Sequence, residues 1–429
     1  MATRNFDSIT NLFLSNLTIK QTVLKNTFWL VLAEGISKIL SFILSIFVAR
    51  YLQASGYGIF SFVFAFSAMF AIFADIGLSA LMIREVAKNR KLARKYIDNL
   101  LVLKFLLGLA TFFLIFLTVQ FLGKPPAVKS LVYLTAIFIV LNSFTTFFQA
   151  IFQGFEKMEY LAISKLVYSI TLFALSFLVI WQNLGIQTLV KASAYTAFIT
   201  LVSVIILTWK KFTPFQFDLD FTFWKKSLGE AWPFGLIGLL GLIYFQLNII
   251  QVNLIAGDTE TGWYSVAYQF IAAIMVLFNL FYASLFPTLS KLYLQSKTKF
   301  YQFLDFFGKR VISISFLACL VLFIVSKYLI AFLYGPGFLN SINILRLLLI
   351  STFILYLNAP FSEALRMMNL QKDYSKLLFW GVLLNFLLNF PLISLWGALG
   401  ASITTIFSAS LITLLMIWRF RKQKMIDLQ

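Results

Sequence analysis

A chain of 429 residues that is 61% hydrophobic and only 12% charged is excluded from the ordinary soluble globular class, where about half the residues are apolar and about a quarter charged. The formal net charge of +19 would suit nucleic acid, but no soluble region is large enough to present a basic reading surface. Nucleic acid is therefore set aside as a partner, and the excess is assigned to membrane topology. The chain has no His and a single cysteine, Cys319, so imidazole proton relays, His-ligated metals and intrachain disulfides are excluded as well.

Residues 1–26 place Phe6, Ile9, Leu12, Phe13 and Leu17 beside Lys20 and Lys25 and predict a cytoplasmic amphipathic segment, with no cleavable signal peptide. From Phe28 to Ala49 the chain is apolar apart from Glu34, Lys38 and small hydroxyl residues. At 1.5 Å per residue this run reaches about 33 Å, enough to cross a bilayer. Glu34 and Lys38 stand four apart, and Ser41 and Ser45 continue the same stripe. Charges inside a crossing are costly unless they face protein or water, so the stripe is expected to point inward. Glu34 and Lys38 then read either as a cavity-lining pair, with Lys38 meeting a diphosphate or acidic sugar, or as a structural ion pair tying the first helix to a neighbour. Arg50, at the end of the same crossing, reads either as a guide for anionic head groups or as an interfacial snorkelling residue.

The periodicity predicts twelve crossings, at about 28–50, 57–82, 99–121, 130–152, 161–182, 187–209, 231–255, 263–287, 309–332, 343–365, 376–394 and 397–418. In the second, Asp75 shares a face with Ser61, Ala68, Ala71 and Ser79. It reads as a titrating group, as a partner for Lys38, or as a cap on local backbone before Gly77. A dense basic loop follows, with Arg84, Lys88, Arg90, Lys91, Arg94 and Lys95. In the fourth crossing Asn142, Thr146, Gln149 and Gln153 form an uncharged polar face suited to a sugar path. In the seventh, Tyr244, Asn248 and Gln251 align with Gly241, either to hydrogen-bond sugar hydroxyls or to join helices. Asn358, Ser362 and Arg366 are a weaker counterpart in the tenth, read as an inner-surface anchor.

With both termini cytoplasmic, 28 of the 35 Lys and Arg residues fall on the inner side of this scheme, as the positive-inside rule requires. The chain then divides into an N-terminal six-helix bundle over 27–209, a cytoplasmic linker at 210–228, a C-terminal six-helix bundle over 229–418 and a basic tail at 419–429. Ser55-Gly56-Tyr57-Gly58-Ile59-Phe60-Ser61 echoes Glu260-Thr261-Gly262-Trp263-Tyr264-Ser265, and the run Gly154 to Tyr160 echoes Asn369 to Tyr374. The halves are thus parallel repeats, with a substrate path expected between them.

The run from Ala49-Arg50-Tyr51-Leu52 to Gly58-Ile59-Phe60-Ser61, together with Ala74-Asp75-Ile76-Gly77-Leu78, Arg84-Glu85-Val86-Ala87-Lys88 and Gly262-Trp263-Tyr264-Ser265-Val266-Ala267, resembles the polysaccharide transport family. These are the Wzx-type flippases of the multidrug/oligosaccharidyl-lipid/polysaccharide exporter superfamily. The resemblance implies an all-α integral membrane fold of about twelve helices in two pseudo-symmetric six-helix bundles, similar to the multidrug exporters. It implies alternating access that moves an undecaprenyl-diphosphate-linked oligosaccharide from the cytoplasmic to the periplasmic leaflet of a bacterial inner membrane. It also implies a polysaccharide polymerase and a chain-length regulator as partners. Family members often carry an acidic residue near the end of the seventh crossing, where this chain has neutral Asn248. No Walker A loop and no large acidic extramembrane loop are present, so no cofactor and no enzymatic step are expected. The competing expectation is a small-molecule or drug exporter of the same superfamily.

Overall fold

The computed structural model describes residues 19–212, 214, 216, 218–368 and 370–428, with backbone alone described at 19–20, 236–242, 244–245, 276–288 and 428. The amphipathic segment expected at 1–26 therefore lies largely outside the described residues. Every regular element described is helical: α1 (Ile19–Met69), α2 (Leu78–Lys88), α3 (Leu92–Gln120), α4 (Pro126–Gly154), α5 (Met158–Trp181) and α6 (Gly185–Lys211), followed by α7 (Phe221–Ile255), α8 (Asp258–Gln295), α9 (Lys297–Tyr334), α10 (Ser341–Met367) and α11 (Gln371–Leu428). Two of them are bent pairs. α1 breaks at Gln53 and α11 at Gly397, so the described residues make thirteen α-helical segments. Eight of the described helices are long and apolar enough to cross a membrane, and the protein is an all-α, multi-pass membrane protein.

At the first bend Gln53 takes φ 57°, and its side-chain amide donates to the carbonyl of Arg50 at 2.6 Å. That donor replaces the helical N–H which the bend removes. At the second bend the Glu260 carboxylate accepts the backbone N–H of Ala398 at 2.9 Å and so caps the arm that follows.

The chain divides into two compact units, one of residues 1–48 and 63–242, the other of 49–62 and 243–429. This division differs from the expected boundary at 210–228 in two places. The bend of α1 belongs with the C-terminal residues, and the first part of α7 belongs with the N-terminal ones. The expected linker is not slack. Gln216 N–H donates to the Asp98 carboxylate at 2.6 Å, Asp218 N–H to the Asp98 carbonyl at 3.1 Å, and the Trp224 indole to the Asn99 carbonyl at 2.8 Å. These bonds fasten the start of α7 to α3.

In the first unit α4 is the hub, packed against α2, α3, α5 and α6. Leu78, Leu81 and Met82 of α2, Ile97 and Leu100 of α3, and Phe147, Phe148 and Ile151 of α4 form its buried core. α1 joins α5 through Lys25 and Glu159, a buried ion pair at 2.9 Å. The second crossing is not one helix. Residues 70–77 form successive turns, and Gly77 sits at φ 85°, a conformation glycine reaches at little cost. A side chain there would also meet α7, since a Cβ on Gly77 would stand 2.4 Å from the Ala231 carbonyl oxygen.

In the second unit α10 packs against α8, α9 and α11. Leu289, Phe300, Tyr301, Leu304, Ala364, Met367 and Phe420 close one end of it. The two sequence echoes around Gly58 and Gly262 lie side by side in this unit: the helix holding Gly58 touches the first turn of α8.

Candidate functional site: a polar cavity in the first unit

Four helices of the first unit surround a cavity of about 290 Å³. α1 contributes Glu34, Ser37, Lys38 and Ser41, and α4 contributes Asn142, Thr145, Thr146 and Gln149. α5 adds Lys165, Tyr168 and Ser169, and α6 adds Thr200. The spacing explains the convergence: Glu34, Lys38 and Ser41 are four and three apart, as are Asn142, Thr146 and Gln149, so each set forms one helical face.

Glu34 does not pair with Lys38, its neighbour one turn on; its carboxylate accepts Lys165 Nζ from α5. A partner across the cavity can approach head-on, whereas two side chains along one helix must bend toward each other. Lys165, within the crossing predicted at 161–182, is a wall of the cavity. Lys38 lines the same space, exposed, with no ion pair among the described residues. The cavity thus carries two ammonium groups and one carboxylate.

The hydroxyls and amides complete the wall. Gln149 donates to Ser164 at 2.9 Å, Ser169 to the Lys165 carbonyl at 2.9 Å and Thr146 to the Asn142 carbonyl at 2.7 Å. Asn142 stands exposed on the same face. This is a lining that can exchange hydrogen bonds with hydroxyls while its cations meet an anion.

Arg50 and Asp75 stand elsewhere. The Arg50 guanidinium donates to the carbonyls of Phe332 and Leu333, the last turn of α9, where a cation offsets the negative helix end. Asp75 pairs with Lys104 at 2.5 Å, not with Lys38, and accepts the Ser79 hydroxyl at 2.6 Å. The helical face drawn through Ser61, Ala68 and Asp75 is interrupted by the turns at 70–77. Lys104 is wholly buried and also donates to Ser143 at 2.8 Å. Its nearness to Lys95 in the chain groups it with the basic loop, and only its apolar flanks, Leu103 and Phe105, mark it as interior.

Asn248 and Gln251 are buried in the second unit inside an amide lattice. Asn389 Nδ2 sits 2.8 Å from Asn248 Oδ1, 2.7 Å from Gln251 Oε1 and 3.2 Å from Asn385 Oδ1. Asn248 Nδ2 donates on to Tyr264 at 2.9 Å and to Thr405 at 3.0 Å. The Tyr244 side chain lies outside the described residues. Arg366 holds Glu363 at 3.0 Å and the Tyr374 hydroxyl at 2.9 Å.

Against known proteins, the profile of the polysaccharide biosynthesis protein family matches residues 23–293. The chain belongs to that family. The Wzx-type resemblance read from the motifs at Arg50–Ser61 and Gly262–Ala267 agrees with this membership. Relatives of this polysaccharide biosynthesis protein include the "Putative O-antigen transporter" of Escherichia coli (strain K12), 24% identical over 418 residues that make up 95% of this chain and 99% of the relative. In fold, the protein is similar to the lipid II flippase MurJ in an inward closed conformation, with a TM-score of 0.74 at 16% identity, covering 91% of this chain and 87% of the other. It is also similar in fold to an inward-facing multidrug resistance MATE family transporter of the MOP superfamily, with a TM-score of 0.71 at 14% identity, covering 91% of this chain and 95% of the other.

Proposed function

We propose that this polysaccharide biosynthesis protein translocates an undecaprenyl-diphosphate-linked oligosaccharide repeat unit across the bacterial inner membrane by alternating access, from the cytoplasmic to the periplasmic leaflet. The observation that carries the reading is the cavity of Glu34, Lys38 and Lys165, walled by Asn142, Gln149 and hydroxyl groups within a bundle of apolar helices. A diphosphate and a train of sugar hydroxyls cannot enter hydrocarbon unaided, because each unsatisfied polar group costs several kcal/mol and each charge more. A transporter must therefore offer a wet route with partners along its wall. Lys38 meets the anionic group, and Lys165 joins it if the substrate's charge displaces Glu34. The amide and hydroxyl faces of α4 and α5 take the sugars. At about 290 Å³ the cavity is at the low end of ligand pockets and holds part of a head group at a time.

The name of the Escherichia coli relative supports the O-antigen class. The test is complementation in a strain whose O-antigen flippase gene is deleted: restored surface glycan supports the reading. No glycan export combined with raised resistance to cationic drugs would favour the exporter reading, for which the multidrug-transporter likeness and Glu34 argue. An excess of ammonium over carboxylate in the cavity argues against cationic cargo.

A further inference from the structure

A second, apolar compartment lies on the other side of α4. It is a groove of about 510 Å³ formed by α3, α4 and α6, with Leu101, Phe105, Leu109 and Phe112 on one wall and Phe144 and Ile205 among the others. α4 separates it from the polar cavity, since Leu141 and Phe144 face the groove while Asn142 and Thr145 face the cavity. Gly108 lets the walls meet at the back: a Cβ there would stand 3.0 Å from Val140. From Leu101 to Phe112 the groove runs about 16 Å along α3, close to the ~15 Å depth of one leaflet's hydrocarbon.

The basic loop singled out in the sequence lies on the N-terminal side of this groove, with Arg94 about 10 Å along α3 from Leu101. Arg94, Leu101, Phe105 and Phe112 are seven, four and seven apart and share one face of α3. Lys91 occupies the N-cap position of α3; its backbone N–H is taken by Asn89 Oδ1 at 3.1 Å, so what this end offers an anion is the Lys91 side chain. Lys91 is exposed and makes no ion pair among the described residues. Arg94 is half exposed and reaches Asp98 at 3.4 Å, a carboxylate already holding the Gln216 N–H. Arg90 meets Glu156 at 3.3 Å with both side chains more than half exposed, a pairing of little strength.

We propose that this groove and the turn beneath it bind one anionic phospholipid. An acyl chain fills the groove, and the phosphate is held by the side chains of Lys91 and Arg94. The charge of the rim selects an anionic head group, and the one-leaflet length of the groove matches an acyl chain rather than a longer polyprenyl chain.

The experiment is native mass spectrometry on the purified full-length protein, titrated with phosphatidylglycerol, phosphatidylethanolamine and undecaprenyl phosphate. The expected result is one tightly retained phosphatidylglycerol, bound at least tenfold more strongly than phosphatidylethanolamine. The double variant Lys91→Gln/Arg94→Gln should lose that preference, and Leu109→Trp, which fills the groove from its exposed lip, should weaken phosphatidylglycerol binding about tenfold. Lys210→Gln/Lys211→Gln, which removes two cations from the end of α6, should bind as the wild type does. Equal retention of both phospholipids by the wild type would overturn the proposal. So would wild-type binding by both groove variants, or displacement of phosphatidylglycerol by stoichiometric undecaprenyl phosphate. None of these outcomes depends on glycan export.

Discussion

Gly58 and Gly262 bring two helices together backbone to backbone. A Cβ on Gly58 would stand 1.7 Å from the carbonyl oxygen of Asp258, and one on Gly262 1.9 Å from that of Ala54. Each glycine is needed because of the other's helix, and each sits in the stretch that makes the two halves of the sequence look alike. Gly58→Ala or Gly262→Ala must push the helices apart. Overpacking ordinarily costs about 1–3 kcal/mol, and the upper part of that range applies where backbone, not a side-chain tip, has to move. Melting of the purified variants should show it, with the double variant losing less than the sum of the singles because the sites share one contact. An unchanged melting temperature for either alanine would mean the helices do not meet there.

Lys38 and Glu34 should separate function from stability. Lys38 makes no ion pair among the described residues and faces the cavity, so Lys38→Ala should leave stability within about 0.5 kcal/mol of wild type while lowering glycan export several-fold. Lys38→Arg should retain part of it. Glu34→Ala and Lys165→Ala each leave one half-buried charge without its partner, and the pair of substitutions together should cost less than their sum. Full export by both Lys38→Ala and Glu34→Ala in the complementation assay would remove the cavity from the transport route.

Much of this is legible in the sequence, and the limit has a physical form. The helical periods place Glu34, Lys38, Ser41, Asn142 and Gln149 on single faces, and those faces do converge on one cavity. A period shows which residues of one helix share a face; it is silent on which helix stands opposite. So the period puts Glu34 on an inward face without showing that its partner, Lys165, stands on α5, and it cannot choose between Lys38 and Lys104 as the partner of Asp75. The break at 70–77 escapes the sequence for a related reason. Of its eight residues, only Gly77 signals a turn; the others are apolar apart from Asp75, and their hydropathy continues the helical run. Arg50 is recognisable as an end-of-helix residue, but the carbonyls it serves belong to α9, nearly three hundred residues later in the chain.

The amide lattice predicts sensitivity at a residue the sequence does not single out. Asn389 is wholly buried, and its one NH₂ group faces three carbonyl oxygens. Asn389→Leu keeps a similar volume and removes that donor. An acceptor left buried without a hydrogen bond costs about 1–3 kcal/mol, so this substitution should destabilise by several kcal/mol. Adding Asn248→Leu removes one orphaned acceptor but also takes away the bonds that Asn248 donates to the Tyr264 and Thr405 hydroxyls, so it should not restore the loss. Chemical or thermal unfolding in detergent checks both, and a wild-type transition for Asn389→Leu would contradict the lattice.

The Asp75–Lys104 pair makes the last prediction, and the sharpest. Lys104 is wholly buried, held at 2.5 Å by Asp75, at 2.8 Å by Ser143 and over the Phe147 ring at 5.5 Å. Next to Asp75 the β-branched Ile76 takes φ 48°, a strained conformation costing on the order of 1–3 kcal/mol. The pair is the pin that holds this break in place. Removing one member strands a charge in a low-dielectric interior, which costs about 3–5 kcal/mol, so Lys104→Met and Asp75→Asn should each unfold at markedly lower temperature or fail to accumulate. The double variant Asp75→Asn/Lys104→Met carries no stranded charge, and the side-chain amide that replaces the Asp75 carboxylate can still accept the Ser79 hydroxyl. It should therefore be more stable than either single variant, which is the reverse of additivity. A double variant as damaged as the worse single would show that the ammonium is needed for its bond to Ser143, and not only to balance Asp75.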